Sequence, residues 1–236
     1  MELQLPFLVS IITVNLNNDL GLEATLKSIE SQSYKNVEVV FVDGGSTDQS
    51  LHIIKTYNKL ITTTIIGQDS GIYDAMNIGL KHISIGSDFI VFLNSGDVFS
   101  GPEVIQTVMN QANPLENYYG NVLKGALISY HNKRINLRGL ASHMICHQAL
   151  FFSSVLHRKL SYNIEFTLAA DYDLLIRAVK NKWKFNYVGV TVATLQMGGI
   201  SATNRVALMS QKNTIRSQHK ELMFWYYLHK IKTTFK

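Results

Sequence analysis

The stretch from Asp69 to Asp97, DSGIYDAMNIGLKHISIGSDFIVFLNSGD, constrains the fold more than any other. Ile72, Met76, Gly79/Leu80 and Ile83 recur at helical spacing and predict an amphipathic helix with one buried face. The apolar run Phe89–Leu93 then predicts a short central strand of a parallel sheet. Polar residues Asn94, Ser95, Gly96 and Asp97 follow it directly. In open α/β sheets ligands lie beyond the carboxyl ends of the strands. Asp97 is therefore placed either to touch a ligand or metal or to cap the next helix, and this stretch alone does not separate the two.

Upstream, the same alternation repeats. Leu8–Val14 reads as a buried strand ending at Asn15, and Leu22, Leu26 and Ile29 mark one face of a helix. Val37–Val42 is a second strand, followed by Asp43-Gly44-Gly45-Ser46-Thr47-Asp48, in which Ser46, Thr47 or Asp48 caps a helix buried through Leu51 and Ile54. Thr62–Ile66 is a weaker strand leading into the central stretch. The order β-α-β-α-β-α-β, with crossover-length connections, predicts a doubly wound α/β half. Asn15, Asp43, Asp69 and Asn94–Asp97 each follow a strand. Singly each is ordinary turn chemistry; four at one end of one sheet predict a binding edge. Gly44–Gly45 does not form the dinucleotide fingerprint, because an acid precedes the pair and Ser-Thr-Asp follows. A carboxylate there suits the N–H of a base or the O–H of a ribose better than a phosphate.

The 236 residues suffice for one well-buried domain with a small extension, and 46% hydrophobic with 17% charged residues fits a globular chain. Cys146 is the single cysteine, which excludes an intrachain disulfide. The start carries Glu2 and no cationic run, so no secretory signal is expected, and no apolar run approaches the roughly 20 residues that span a bilayer. The formal charge of +5 favours anionic partners: nucleotides, phospholipid surfaces or nucleic acid.

In order, SIITVN, VDGGSTDQS, DSGIYDAMNIGL and FLNSGD resemble the successive motifs of glycosyltransferase family 2, in the variant found in bacterial O-antigen, capsule and colanic-acid-type enzymes. The resemblance covers roughly residues 8 to 203. It implies an α/β GT-A fold, Rossmann-like, with a mostly parallel central sheet. It further implies that Thr13, Asn15 and Asp43 hold the nucleotide, with Asp43 accepting from the base and Asp69 nearby. The family's acidic metal motif is here Asn94-Ser95-Gly96-Asp97, so Asp97 alone keeps a carboxylate for Mn²⁺ or Mg²⁺, beside Asn94 and Ser95 facing the nucleotide sugar. Such hard ions use few protein ligands when substrate phosphates supply the rest.

Farther on, Pro102–Met109 reads as a helix, and Tyr118–Val122 resembles the family's Tyr-Gly-Asp strand with Asn121 replacing the acid. Lys124–Arg138 reads as a pair of short strands whose Lys133, Arg134 and Arg138 meet a diphosphate or lipid headgroup, or simply water. Cys146–Phe152 and Ala169–Arg177 resemble the family's CHQALFF and ADYDLLLR segments. The second implies Asp171 as catalytic base, in the first turn of a helix whose positive end favours an ionised carboxylate. A plain capping role for Asp171 is the alternative, Asp173 ranks second as base, and Arg177 is a phosphate contact or an ion pair. His147 and Gln148 suggest a polar wall near donor or acceptor, although a lone His is more often a hydrogen-bonded core residue. Gln196–Ser201 offers no late metal-binding His.

The predicted organisation is a catalytic domain over residues 1–203 (about 1–97 for the nucleotide, 98–203 for the acceptor) and a basic, aromatic helical extension over 204–236. In that extension Phe224, Leu228, Ile231 and Phe235 share one helical face, suited to a bilayer interface or to packing on the domain or a second copy. The expected function is inverting transfer from a nucleotide-diphosphate sugar to a hydroxyl of a polyprenyl-diphosphate-linked glycan in surface polysaccharide synthesis. The expected location is cytoplasmic, peripheral on the inner face of the cytoplasmic membrane. A catalytically weak, nucleotide-sugar-binding subunit is the alternative that the thinned metal motif motivates. Nucleic-acid binding rests on charge alone and is set aside, and a homo-oligomer is left open.

Overall fold

Strand β1 (Val9–Asn15) is buried along its whole length because its side chains enter two different layers. Ile12 and Val14 point into one apolar cluster, Val9 and Ile11 into another on the opposite face. An unbroken apolar strand is what a sheet covered by helices on both sides requires. The computed structural model describes residues 6–131, 134–198 and 203–234. Glu2, Lys133, Gly199, Ile200, Ser201, Phe235 and Lys236, which carry parts of the sequence reading, lie outside the described residues.

The first half follows the predicted alternation: β1, α1 (Asp19–Glu30), β2 (Val37–Asp43), α2 (Ser50–Thr56), β3 (Thr63–Ile66), α3 (Ile72–Lys81) and β4 (Phe89–Phe92). There follow β5 (Val98–Phe99), α4 (Val104–Met109), β6 (Asn117–Lys124), β7 (Leu127–Ser129) and α5 (Leu137–Ser142). A single 3₁₀ turn, His147–Ala149, opens β8 (Leu150–Ser153), and then come α6 (Ser154–His157), α7 (Ala170–Lys180), β9 (Phe185–Leu195), α8 (Arg205–Ser217) and α9 (Lys220–Thr234). The strands run in the order β3-β2-β1-β4-β8-β6-β9-β5, with β7 on β6. β3, β2, β1 and β4 are parallel. Beyond β4 the sheet is mixed: β8 is antiparallel to β4 and β6, whereas β9 runs parallel to β6 and antiparallel to β5. The mostly parallel sheet expected from the sequence thus describes the first half only.

The parallel half brings the strand ends into line. Asn15 pairs with Asp43, Asp43 with Ile66, and the Ser95 N–H donates to the Val14 carbonyl, so all three polar runs stand at one carboxyl edge. Gly79 lets α3 lie close on this sheet; a Cβ there would fall 2.5 Å from the Ile12 side chain.

One expectation changes in the second half, and the helical extension gains detail. Lys124–Arg138 is not a strand pair, since only Leu127–Ser129 pairs with β6 and Arg138 lies in α5. The chain after Arg205 is two helices, although no Gly or Pro separates them. The break at Gln218–His219 lets Ile215 and Arg216 on α8 and Leu222 on α9 all become buried. Ile215 and Leu222 join the same cluster as Leu140 and Leu175, so both helices rest on the domain. Among the described residues no helix is long and apolar enough to cross a membrane.

Candidate active site

The loop after β4 is built to hold Asp97 still. Gly96 adopts φ +96°, a left-handed conformation that L side chains rarely take, and a Cβ there would collide with the Gln196 side chain. The Asn18 amide donates to the Ser95 carbonyl (3.0 Å) and to Gln196 Oε1 (2.9 Å). From α1, the Thr25 hydroxyl accepts from the Gly96 N–H and donates to the Asp97 carbonyl. Three separate stretches, around residues 18–25, 94–97 and 196, therefore close on one point.

Asp97 is 7% exposed. Its Oδ2 accepts from Gln148 Nε2 at 2.8 Å and its Oδ1 from the Gln196 N–H at 3.0 Å. A carboxylate offers about four acceptor positions, so each oxygen of Asp97 keeps one free. Burial pushes its carboxyl above the ordinary range, opposed by the Gln148 amide, the Gln196 N–H, His147 and Lys124.

Asp171 lies at the start of α7, 5% exposed, and accepts the Tyr73 hydroxyl (3.0 Å) and the Tyr172 N–H (2.8 Å) on Oδ1. Its Oδ2 takes His147 Nδ1 at 3.2 Å and keeps one position free. On the other side of the ring, the Asn94 amide approaches His147 Nε2 at 3.0 Å. An amide N–H donating there leaves the proton of neutral His147 on Nδ1, facing Asp171. Asp97 bonds Gln148 and Asp171 bonds His147, so two consecutive residues of the 3₁₀ turn link the two acids. Burial and the adjacent Asp171 charge push the Tyr73 hydroxyl well above the usual phenol value, which keeps it a donor. Lys212, on α8, also senses Asp171, although burial is the larger influence and lowers its pKa.

Asp43 is different. It is fully buried, and its oxygens accept from Asn15 Nδ2 (2.9 Å), the Gly45 N–H (3.0 Å), the Ser46 N–H (2.7 Å) and the Ser46 hydroxyl (2.7 Å). These donors fill its acceptor capacity. Asn15 is also tied to Ser46 and Ser50, and Thr13 is fully buried. The expected nucleotide contacts Thr13, Asn15 and Asp43 are buried at this edge; the acceptor positions of Asp43 are taken by these donors, while Thr13 Oγ1 and Asn15 Oδ1 have no partner. Asp69 stands at the rim, half-buried, its carboxylate over Gly44 and accepting the Gly71 N–H. Asp173 pairs with Arg177 at 2.7 Å, so that arginine is an ion-pair partner within its own helix.

Among the described residues no three His, Cys, Asp or Glu side chains cluster as metal ligands. Hard oxygens are nevertheless present on the loop after β4: the two open positions of Asp97 and the buried Asn94 Oδ1, which has no partner. That donor set fits Mg²⁺ or Mn²⁺ completed by substrate oxygens.

Residues 10–166 match the model of glycosyl transferase family 2. The chain belongs to that family. A PGL/p-HBAD biosynthesis glycosyltransferase of Mycobacterium bovis is 32% identical over 204 residues, 82% of this chain and 79% of that protein. The fold matches S. aureus TarS (residues 1–349) in complex with UDP-GlcNAc, with TM-score 0.73, 16% identity and coverage of 89% of this chain and 65% of that one, just under two thirds of its length. It also matches the mannosyltransferase PcManGT from Pyrobaculum calidifontis, in complex with GDP-Man and Mn²⁺, at TM-score 0.70 and 19% identity, covering 94% and 69%. At these identities the structures establish the GT-A fold. Family membership makes the chain a glycosyltransferase, and its sequence motifs fall at the sheet edge described above.

Tyr73 and Thr25 carry weight that sequence reading did not assign. Tyr73 stands inside the GIYDAMN motif, and its spacing from Met76 could have flagged it as a side chain turned inward beside the site.

Proposed function

We propose that the chain transfers a sugar from a nucleotide-diphosphate donor to a hydroxyl of a lipid-linked glycan, with inversion at the anomeric carbon. The observation that carries this reading is the contrast in spare acceptor capacity. Asp97 and Asp171, linked through the His147–Gln148 turn, keep open acceptor positions, whereas the acid after β2 keeps none. As the acceptor oxygen bonds to the anomeric carbon and the bond to the diphosphate breaks, Asp171 Oδ2 takes the hydroxyl proton. General-base help of this kind is worth on the order of 10²–10⁴ in rate. His147 and Tyr73 position that carboxylate. Asp97, with Asn94 beside it, is the site for a divalent cation, whose chemistry would be neutralisation of charge on the departing diphosphate. Asp69 and Ser95 line the donor side, and the network of Asp43, Asn15 and Ser46 frames it. Inversion follows from the family resemblance. The lipid-linked acceptor and a role in surface polysaccharide synthesis draw support from the relatives named for PGL/p-HBAD biosynthesis, and a place on the cytoplasmic face of the membrane is part of the same proposal.

A panel of nucleotide sugars, tested for thermal stabilisation and hydrolysis with and without Mn²⁺, tests the reading. At least one donor should stabilise the chain in a Mn²⁺-dependent way and turn over. The lone carboxylate on the loop after β4 favours the alternative, a nucleotide-sugar-binding subunit. That role predicts binding without turnover, unchanged in Asp171→Asn.

A further inference from the structure

Between α5 and α9 lies a cavity of ≈ 450 Å³ whose wall carries Arg134, Arg138, His143, His229, Lys232 and Trp225. No acidic side chain lines it. Among the described residues, no carboxylate pairs with Arg134, Arg138 or Lys232, whereas Lys27, Arg177 and Lys184 each have an acidic partner. The wall is ordered by contacts of its own. The Arg138 guanidinium lies 5.1 Å from the Trp225 ring centre, and the His143 and His229 rings meet edge-on at 6.0 Å. Cations held together without a counter-charge repel one another, and an anion among them relieves that repulsion. The larger groove beside α3, ≈ 960 Å³, lacks this character: Asp74 lines it, Arg158 donates to the Ser84 carbonyl and Arg177 is paired with Asp173.

Next to the cationic groove, α9 exposes an apolar face. Phe224, Tyr227 and Ile231 are 60%, 56% and 56% exposed, and their i, i+3, i+7 spacing puts them on one side of the helix. Leu228 joins this face to the groove wall. The fold already uses the opposite side of α9: Leu222 is fully buried and Tyr226 lies under the Arg216 guanidinium, 4.3 Å away. The exposed face therefore has no partner within the described chain.

We infer that this groove binds the phosphate of an anionic lipid headgroup, with Phe224, Tyr227 and Ile231 entering the boundary between headgroups and acyl chains. A basic recess bordered by aromatic and aliphatic side chains matches the layering of a bilayer surface, which a soluble phosphate does not offer. His143 precedes His147 by four residues and α5 packs on α7, so a lipid docked here lies next to the helix that carries Asp171. That last relation rests on the proposed transfer to a lipid-linked acceptor; the lipid site itself does not.

The test is co-sedimentation of the full chain with vesicles of phosphatidylcholine alone or mixed with phosphatidylglycerol, with inorganic pyrophosphate as soluble competitor. The wild type should bind the anionic vesicles and not the neutral ones. Each of Arg134→Gln, Arg138→Gln and Lys232→Gln should weaken binding about fivefold, and the triple variant on the order of a hundredfold. Phe224→Ser with Ile231→Ser should lose vesicle binding while still binding pyrophosphate. Equal binding to both vesicle types, or a triple variant that binds like the wild type, overturns the inference. Pyrophosphate binding without vesicle binding overturns it too, in favour of a soluble anion. Asp171→Asn should bind vesicles normally, and the triple variant should hydrolyse nucleotide sugar normally in lipid-free buffer. A wild type that binds anionic vesicles yet transfers no sugar from any donor therefore counts against the transfer reading alone.

Discussion

The end of β2 and the end of β4 both present an acid at the same sheet edge, yet the two are opposites. Asp43 accepts from Asn15, Gly45 and Ser46 until no acceptor position is left, whereas Asp97 meets only Gln148 and the Gln196 N–H. We propose that the saturated Asp43 carboxylate holds its loop in shape and acts on a ligand only through that loop. An unsaturated one is desolvated by burial, which raises the Asp97 pKa, and gains from a cation or proton donor at its open positions. Asp171, with one oxygen position open, belongs with Asp97. Position at a strand end therefore does not assign a role; the donors already in place do.

The largest effect expected of this contrast is in Asp171→Asn, which should lower transfer on the order of 10²–10⁴-fold in initial-rate assays while leaving donor binding intact. Asp43→Asn should do the reverse. It places an amide where donors converge and should cost about 1–3 kcal/mol in denaturant unfolding, with the folded fraction still active. An Asp43→Asn protein of wild-type stability that no longer binds nucleotide would break the comparison, because the acid would then be a ligand after all.

How far the sequence could carry this distinction is visible in the same residues. The first-half strands and helices were readable from Ile12, Val40, Met76 and Phe92 and their neighbours, because apolar periodicity is a local signal. The placement of Asp97 and Asp171 at element ends was readable for the same reason. What was not readable is tertiary. Saturation of Asp43 depends on Asn15, twenty-eight residues away, and the Tyr73 contact to Asp171 spans ninety-eight. β5 has two residues and no pattern to detect. Arg138 follows the polar Asn136 cap of a six-residue helix too short to show a period. The break between α8 and α9 has no breaker residue and arises from the burial of Ile215, Arg216 and Leu222.

The sealed part of the core makes a prediction about pH. His157 is fully buried among Phe92, Phe152 and Tyr162, with neither ring nitrogen bonded, and burial lowers its pKa from 6.5 to about 4. The unfolded chain therefore binds this proton more readily than the folded one. Stability from neutral His157 is complete above pH 6.5 and falls by about 1.4 kcal/mol per unit as pH drops toward 4. Urea unfolding across that window should show the loss, and His157→Phe should flatten it. A smaller effect, roughly tenfold or less in rate, is expected from Tyr73→Phe, which removes one of three donors to Asp171. It should lower kcat with KM for the donor unchanged, as fits a residue that positions the base.

Donor binding and sugar transfer measured side by side in the wild type, Asp97→Asn and Asp171→Asn, each with and without Mn²⁺, bear most directly on the two open acids. Asp97→Asn should lose the Mn²⁺-dependent part of donor binding, and Asp171→Asn should keep that binding and lose transfer. Both variants transferring sugar at the wild-type rate would contradict the account.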